Sequence, residues 1–166
     1  MSGRAALAWK VAASVPDPEL PYLTIADLGI LRGTEERGGT VVVTVTPTFS
    51  GCPAMTEMRR NLLRRLREAG LGAVEIRTAL APPWTSDWIT SEGKAKLSAA
   101  GISPPDPAVD ARRAVRVVLT PRPRSVECPR CASAETVELS RFGATACRSL
   151  WRCEACREPF EHMREV

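Results

Sequence analysis

Thr40-Val41-Val42-Val43-Thr44-Val45-Thr46 is β-branched at every position. Branched side chains lose rotamer freedom in a helix and pack well on a pleated surface, so this stretch reads as a strand. Immediately before it stand Gly38-Gly39, a hairpin turn signal, and Leu28–Glu35, a second strand-like run. The two runs and the turn make a β-hairpin. Downstream, Pro53 opens a helix whose apolar face is Met55, Met58, Leu62, Leu66 and Ala69, at three- and four-residue steps. Gly70 and Gly72 stop it, and Val74–Leu80 follows as a strand. Thr85–Ala100 reads as a last helix, capped by Ser86 or Asp87 and closed by Gly101. Upstream, residues 5–15 are helix-compatible until Pro16 and Pro18 end them. The order helix, strand, strand, helix, strand, helix predicts an α+β fold, a mixed α/β sandwich over residues 5–101.

Beyond it the composition changes. Pro104, Pro105, Pro107, Pro121 and Pro123 mark residues 102–125 as a semi-rigid linker, with Ala114–Leu119 as a short strand candidate inside it. Residues 126–166 form a second module. The whole chain has 166 residues, 44% apolar, and a formal charge of +4. That is enough apolar surface for a core, and too modest a charge to argue for nucleic acid. No apolar run is long enough to span a membrane, and the N-terminus lacks the pattern of a signal peptide. A cytoplasmic location is expected, where thiols stay reduced and paired cysteines read as metal ligands or redox groups.

The second module carries Cys128-Pro129-Arg130-Cys131 and Cys153-Glu154-Ala155-Cys156. The 21 residues 132–152 between the pairs slightly exceed the usual spacing for a two-knuckle zinc site. Each Cys-x-x-Cys turn aims two thiolates at one point, and Zn²⁺ takes four such ligands in a tetrahedron. With strand-like Glu135–Ser140 and Arg148–Trp151 between the pairs, the module reads as a zinc ribbon holding one structural Zn²⁺. So short a module cannot bury enough apolar area to fold alone, so the metal would supply much of its stability. The rival readings are an iron–sulfur site and a redox pair. Cys147 is a further thiol, read either as a small buried residue or as an alternative ligand or reactive group. His162, the one histidine, is expected to be an exposed tail residue.

Cys52 stands in Gly51-Cys52-Pro53. Pro53 suits the first helical position, which places Cys52 at the N-cap, where the helix dipole favours a thiolate. Arg59 and Arg60 add positive potential. The thiol is therefore a candidate for reactivity or soft-metal binding; the alternative is simple packing beneath the hairpin. With one histidine, far along in the tail, neither a papain-like dyad nor a di-iron site with paired Glu-x-x-His motifs can be built. No phosphate-binding glycine loop is present either. Arg59, Arg60, Arg64, Arg65 and Arg67 read as a solvated helix face that could dock an acidic surface, since no aromatic residues interleave with them. Trp84 and Trp88 read as core anchors of the last helix, or else as a partner contact.

Asp17-Pro18-Glu19-Leu20-Pro21, Asp27-Leu28-Gly29-Ile30, Thr46-Pro47-Thr48 and Gly51-Cys52-Pro53 resemble the MIP-type iron–sulfur assembly domain family, over roughly residues 8–100. Pro83-Trp84-Thr85-Ser86-Asp87-Trp88-Ile89, with Phe142–Cys147 and Arg157–Phe160, makes the chain resemble the D-subunit family of bacterial phenylacetyl-CoA epoxidases almost end to end. That resemblance implies a non-catalytic accessory subunit in aerobic phenylacetate catabolism. It implies partners among the epoxidase's reductase component, which carries flavin and a [2Fe–2S] cluster, and its oxygenase subunits. It also implies that Cys52 handles a transient iron–sulfur cluster, with Asp17 and Glu19 as further residues of the site. One thiol cannot hold a cluster, so a homodimer or a partner would supply the remaining ligands.

Overall fold

The computed structural model describes residues 2–49, 51–105 and 126–164. Its elements are α1 (Gly3–Ala13), β1 (Leu31–Arg37), β2 (Thr40–Val45), α2 (Ala54–Glu68), β3 (Val74–Thr78), a 3-10 turn (Ser86–Trp88), α3 (Ser91–Ala99), β4 (Ile102–Ser103), β5 (Thr136–Ser140), β6 (Arg148–Cys153) and β7 (Pro159–Met163). The chain divides into two compact units, one built on Met1–Lys96 and one on Leu97–Glu165.

In the first unit a three-stranded sheet runs in the order β1-β2-β3. β1 pairs antiparallel with β2 across the Gly38-Gly39 turn, and β3 pairs parallel with β2. The valines of β2 are the centre of the core: Val41, Val42, Val43 and Val45 are all buried. α1 starts where the Ser2 hydroxyl accepts the Ala5 N–H at 3.2 Å. Its buried residues are Ala5, Ala8 and Ala12, side chains small enough for the helix to pack closely on β1, β2 and α2. α2 buries Ala54, Met58, Leu62 and Leu66 along one stripe and packs on β3. It ends at Gly70, whose φ of 81° places it in the left-handed region where a glycine closes a helix at little cost.

Two expected elements differ. The first strand begins at Leu31 rather than Leu28, because Thr24–Ile30 is a capped helical turn. The Thr24 N–H donates to Asp27 Oδ2 at 2.9 Å, and the Asp27 N–H donates to the Thr24 hydroxyl at 3.1 Å. Gly29, at φ 66°, closes the turn, and a Cβ there would lie 2.5 Å from the Trp88 carbonyl oxygen, so only glycine fits. The single helix expected over Thr85–Ala100 is instead a 3-10 turn followed by α3. The Thr90 N–H donates to the Asp27 carbonyl oxygen at 2.9 Å, which docks the break between them on the Thr24–Ile30 turn.

The Asp27 carboxylate also accepts from Lys96 Nζ at 2.9 Å. Burial works against its charge, but the Thr24 N–H, the Lys96 ammonium and the Thr24 hydroxyl outweigh that cost and hold the carboxyl below its usual range. A carboxyl with a lowered folded pKa stabilises the fold above its unfolded value of about 3.9, and that contribution disappears as pH falls through the lowered value. Asp27→Asn is expected to cost about 1–3 kcal/mol at neutral pH, since it weakens a buried acceptor, and to flatten the acid limb of the stability curve. Urea titrations of both proteins across the acid range check this.

The second unit holds a four-stranded sheet in the order β4-β7-β6-β5. Ile102–Ser103, where the linker was expected to begin, forms β4 and pairs parallel with Glu161–His162. Residues 106–125, which hold most of the expected linker and the strand candidate Ala114–Leu119, lie outside the described residues. Among the described residues of this unit, Val126, Cys128, Trp151, Cys153 and Phe160 form one core cluster. Among the described residues no helix is long and apolar enough to cross a membrane.

Candidate functional site

The two sets of chemically active side chains belong to different units. In the second, β5 and β6 pair antiparallel and present the two Cys-x-x-Cys turns at one end of the ladder. The turns share one geometry. In the first, the Ala132 N–H donates to the Cys128 carbonyl oxygen at 2.9 Å and the Cys128 N–H to the Ser133 carbonyl oxygen at 3.0 Å. In the second, the Arg157 N–H donates to the Cys153 carbonyl oxygen at 3.0 Å and the Cys153 N–H to the Glu158 carbonyl oxygen at 3.0 Å. Ala132 and Arg157 take the left-handed conformation, at φ 57° and 67°, and this reverses the chain so that both sulfurs of each pair point inward.

The four sulfurs lie within 4.8 Å of one another. Cys128 Sγ is 3.8 Å from Cys156 Sγ, and Cys131 Sγ is 3.6 Å from Cys153 Sγ. Four sulfurs about 2.3 Å from a single tetrahedral ion stand about 3.8 Å apart, so the cage fits one ion of the Zn²⁺ type. A cluster spreads its thiolates over two or more irons and needs a wider ring. Cys128 and Cys153 are buried, while Cys131 and Cys156 are exposed.

The protonation pattern matches such a cage. The Cys156 N–H, opposed by burial, holds the Cys153 thiol down to about 7. At Cys131 a backbone hydrogen bond at Ser133 favours the thiolate, but the Cys153 sulfur, burial and the remaining sulfurs outweigh it and push the thiol up to about 12. Cys156 is also raised, against a backbone hydrogen bond at Glu158, by burial and the Cys153 sulfur. The crowded sulfurs keep Cys131 and Cys156 protonated, and a cation entering the cage would release those protons.

Cys147 and His162 are outside the cage. The Cys147 sulfur lies 3.0 Å from the Thr145 hydroxyl and is half-buried. His162 departs from expectation: it is 6% exposed, not an exposed tail residue. β7 carries it inward, where Nδ1 lies 3.2 Å from the Ser103 carbonyl oxygen and the ring meets Trp151 edge to face. The sequence pattern also gave no sign of the Arg148–Glu161 ion pair, whose Arg148 is buried, because the two residues meet only through the β6–β7 register.

In the first unit, Pro53 itself takes helical angles, φ −66° and ψ −28°, and is the N-cap of α2. Cys52 therefore stands one residue outside the expected cap. Its carbonyl accepts the Met55 N–H at 3.2 Å, so the residue still sits at the mouth of the helix. The side chain is half-buried and lines a depression of about 340 Å³ with Pro47, Gly51, Met55, Arg59, Thr78 and Leu80. Arg59 is fixed there: its guanidinium donates to the Thr78 hydroxyl at 2.9 Å and to the Ile76 carbonyl oxygen at 3.0 Å. Arg60 pairs with Glu57 and Arg64 with Glu68, as a solvated helix face does.

Neither Asp17 nor Glu19 lines this depression. The buried Asp17 carboxylate accepts the N–H groups of Glu19 and Leu20, both at 2.9 Å, and so forms the turn after α1. Trp84 is buried and donates its indole N–H to the Leu28 carbonyl oxygen at 2.8 Å. Trp88 is half-exposed, with the Arg32 guanidinium 3.4 Å above its ring.

An α+β domain with a half-buried thiol at a helix mouth, followed by a four-cysteine ribbon, defines the class, and comparison with known proteins gives the same division. Residues 9–78 match the model described as "Iron-sulfur cluster assembly protein", and residues 112–164 match "PaaD zinc beta ribbon domain". The crystal structure of a domain of unknown function, DUF59, from Bacillus anthracis shares the fold at a TM-score of 0.52, with 23% identity, covering 57% of this chain and 91% of that one. The chain is 40% identical over 156 residues to the D subunit of the "Putative 1,2-phenylacetyl-CoA epoxidase" of Escherichia coli (strain K12), covering 94% of this chain and 90% of that protein. It belongs to the family of phenylacetyl-CoA epoxidase D subunits.

Proposed function

We propose that this chain is a cytoplasmic accessory subunit that matures the epoxidase's reductase component, assisting assembly or delivery of its iron–sulfur cluster through Cys52. In the same reading the ribbon holds one structural Zn²⁺ on Cys128, Cys131, Cys153 and Cys156. The observation that carries it is the position of Cys52, at the mouth of α2 and among the residues that line a depression beside a fixed guanidinium. The cluster is cargo here, not a resident group. Cys52 supplies one thiolate to an iron, and the client or a second copy supplies the others. Handover is ligand exchange: a client thiolate forms the new Fe–S bond, the bond to Cys52 breaks, and Cys52 regains a proton without any electron transfer. Asp17 and Glu19, which the family resemblance assigns to the same task, stand outside the depression: Asp17 holds the turn after α1, and Glu19 is the partly exposed acidic residue of that motif.

Producing the reductase with this chain carrying Cys52→Ser tests the proposal. Iron and sulfide in the reductase are expected to fall to the level found when the chain is absent, while zinc in the chain is unchanged. Full cluster content in the reductase would remove the role from Cys52. A second reading, a structural coupling subunit of the oxygenase, is favoured by the exposed apolar side chains Val137, Leu139 and Phe142 of the ribbon. Fixed-stoichiometry copurification with the oxygenase, insensitive to Cys52→Ser, would support that reading instead.

A further inference from the structure

β3 is an outer strand of its sheet, and its pairing shows which of its polar groups are already used. The Val41 N–H donates to the Ala73 carbonyl oxygen and the Ala79 N–H to the Val45 carbonyl oxygen, both at 2.9 Å. The register sets Val41 opposite Val74 and Val45 opposite Thr78. Bonding residues alternate along a parallel ladder, so Ala73, Glu75, Arg77 and Ala79 turn toward β2, while Val74, Ile76 and Thr78 turn their N–H and C=O groups outward. Among the described residues no strand covers that edge. What covers it is a side chain: the Arg59 guanidinium, reaching from α2, takes the outward carbonyl of Ile76 and the hydroxyl of Thr78. A long side chain reaching over from a neighbouring helix is a cover that a paired segment can displace, unlike a bulge, which closes an edge outright. The edge leads straight into the Cys52 depression, which Thr78 and the 65%-exposed Leu80 both line.

We propose that the outer edge of β3 is a docking strand for an extended, acidic segment of the protein that receives the cargo. The segment pairs with Val74, Ile76 and Thr78. It sets a carboxylate on Arg59 and an apolar side chain between Pro47, Met55 and Leu80, and so brings its own ligands beside Cys52. Charge complementarity selects this occupant. α2 carries Arg59, Arg60, Arg64, Arg65 and Arg67 against Glu57 and Glu68, whereas a second copy would set these arginines against their like. The inference rests on the cargo-transfer reading of Cys52 and adds where the recipient binds.

The test uses the apo reductase component and four full-length chains: wild type, Thr78→Pro, Leu80→Glu and Cys52→Ser. Thr78→Pro deletes an outward N–H that the β2 ladder does not use, and Leu80→Glu changes an exposed side chain, so both should fold. Hydrogen exchange at the amides of Val74, Ile76 and Thr78 is expected to slow when the reductase is added to wild type. Thr78→Pro and Leu80→Glu should weaken binding about tenfold, equivalent to about 1.4 kcal/mol, while Cys52→Ser binds normally. Binding without protection at those amides, wild-type affinity in both edge variants, or no binding by wild type would overturn the docking strand. So would protection that rises with the concentration of this chain alone, which would assign the edge to a second copy. If the edge variants behave as wild type but Cys52→Ser still fails to load the reductase, docking falls and the transfer reading stands. If Cys52→Ser loads it fully, the transfer reading itself falls.

Discussion

Cys153→Ser, or stripping the metal with a chelator, is expected to unfold the second unit while the first stays folded. Among the described residues the ribbon's core cluster has five members, and two of them, Cys128 and Cys153, belong to the four-cysteine cage. Trp151 and Phe160 are the large apolar side chains of that cluster, and burying each is worth about 1.5–3 kcal/mol. Structural Zn²⁺ contributes about 10–16 kcal/mol in comparable small modules, more than the burial of these two side chains supplies. Serine at position 153 replaces a thiol held down to about 7 with a hydroxyl that stays protonated at neutral pH. Acid acts in the same direction. The thiols must be deprotonated to bind the ion, so the stability that the metal adds is present at higher pH and is lost as protons compete for the sulfurs. The near-ultraviolet signal of Trp151 and a two-step calorimetric unfolding read this directly. A ribbon that keeps its folded signal in excess chelator would contradict it.

Trp84→Ala is expected to destabilise the first unit by about 3–5 kcal/mol, as truncation of a buried tryptophan does. Trp84 holds the Thr24–Ile30 turn through its bond to the Leu28 carbonyl oxygen. Trp84→Phe keeps most of the apolar volume and leaves that buried oxygen without its donor, at a cost of about 1–3 kcal/mol. The difference between the two variants in urea unfolding separates packing from hydrogen bonding. Equal, small losses would mean that the turn is held from elsewhere.

The elements that the sequence predicts well are those whose own residues carry the reason. The β-branched run of β2 and the Met58, Leu62, Leu66 stripe of α2 fold as their periodicity requires. The two Cys-x-x-Cys pairs likewise converge on one cage because each turn is local. The misplacements come mostly from distant partners. Leu28–Ile30 looks strand-like, but the local Thr24–Asp27 cap starts a turn there, and Asp27 and Gly29 are also used by the distant Lys96 and Trp88, contacts that no local pattern displays. His162 lies near the chain end, yet β7 pairing carries it inward against Ser103. The one-residue shift at Cys52 has a local cause, since a proline with helical angles serves as the cap. That Arg59 would reach across to β3 depends on how α2 packs on that strand, and five arginines on one helix look alike in sequence.

In the proposed reading two metals go to two separate sets of thiols: zinc to the ribbon, and cargo iron to Cys52. The most direct measurement is the iron and zinc that stay with this chain after anaerobic reconstitution with iron and sulfide, in the presence of a small thiol such as glutathione to supply the remaining cluster ligands, comparing the wild-type chain, Cys52→Ser and Cys153→Ser. The account predicts that Cys52→Ser loses iron and keeps zinc, and that Cys153→Ser loses zinc while Cys52 still takes up iron. Iron retained without Cys52, or iron lost only when the ribbon cysteines are changed, would contradict it.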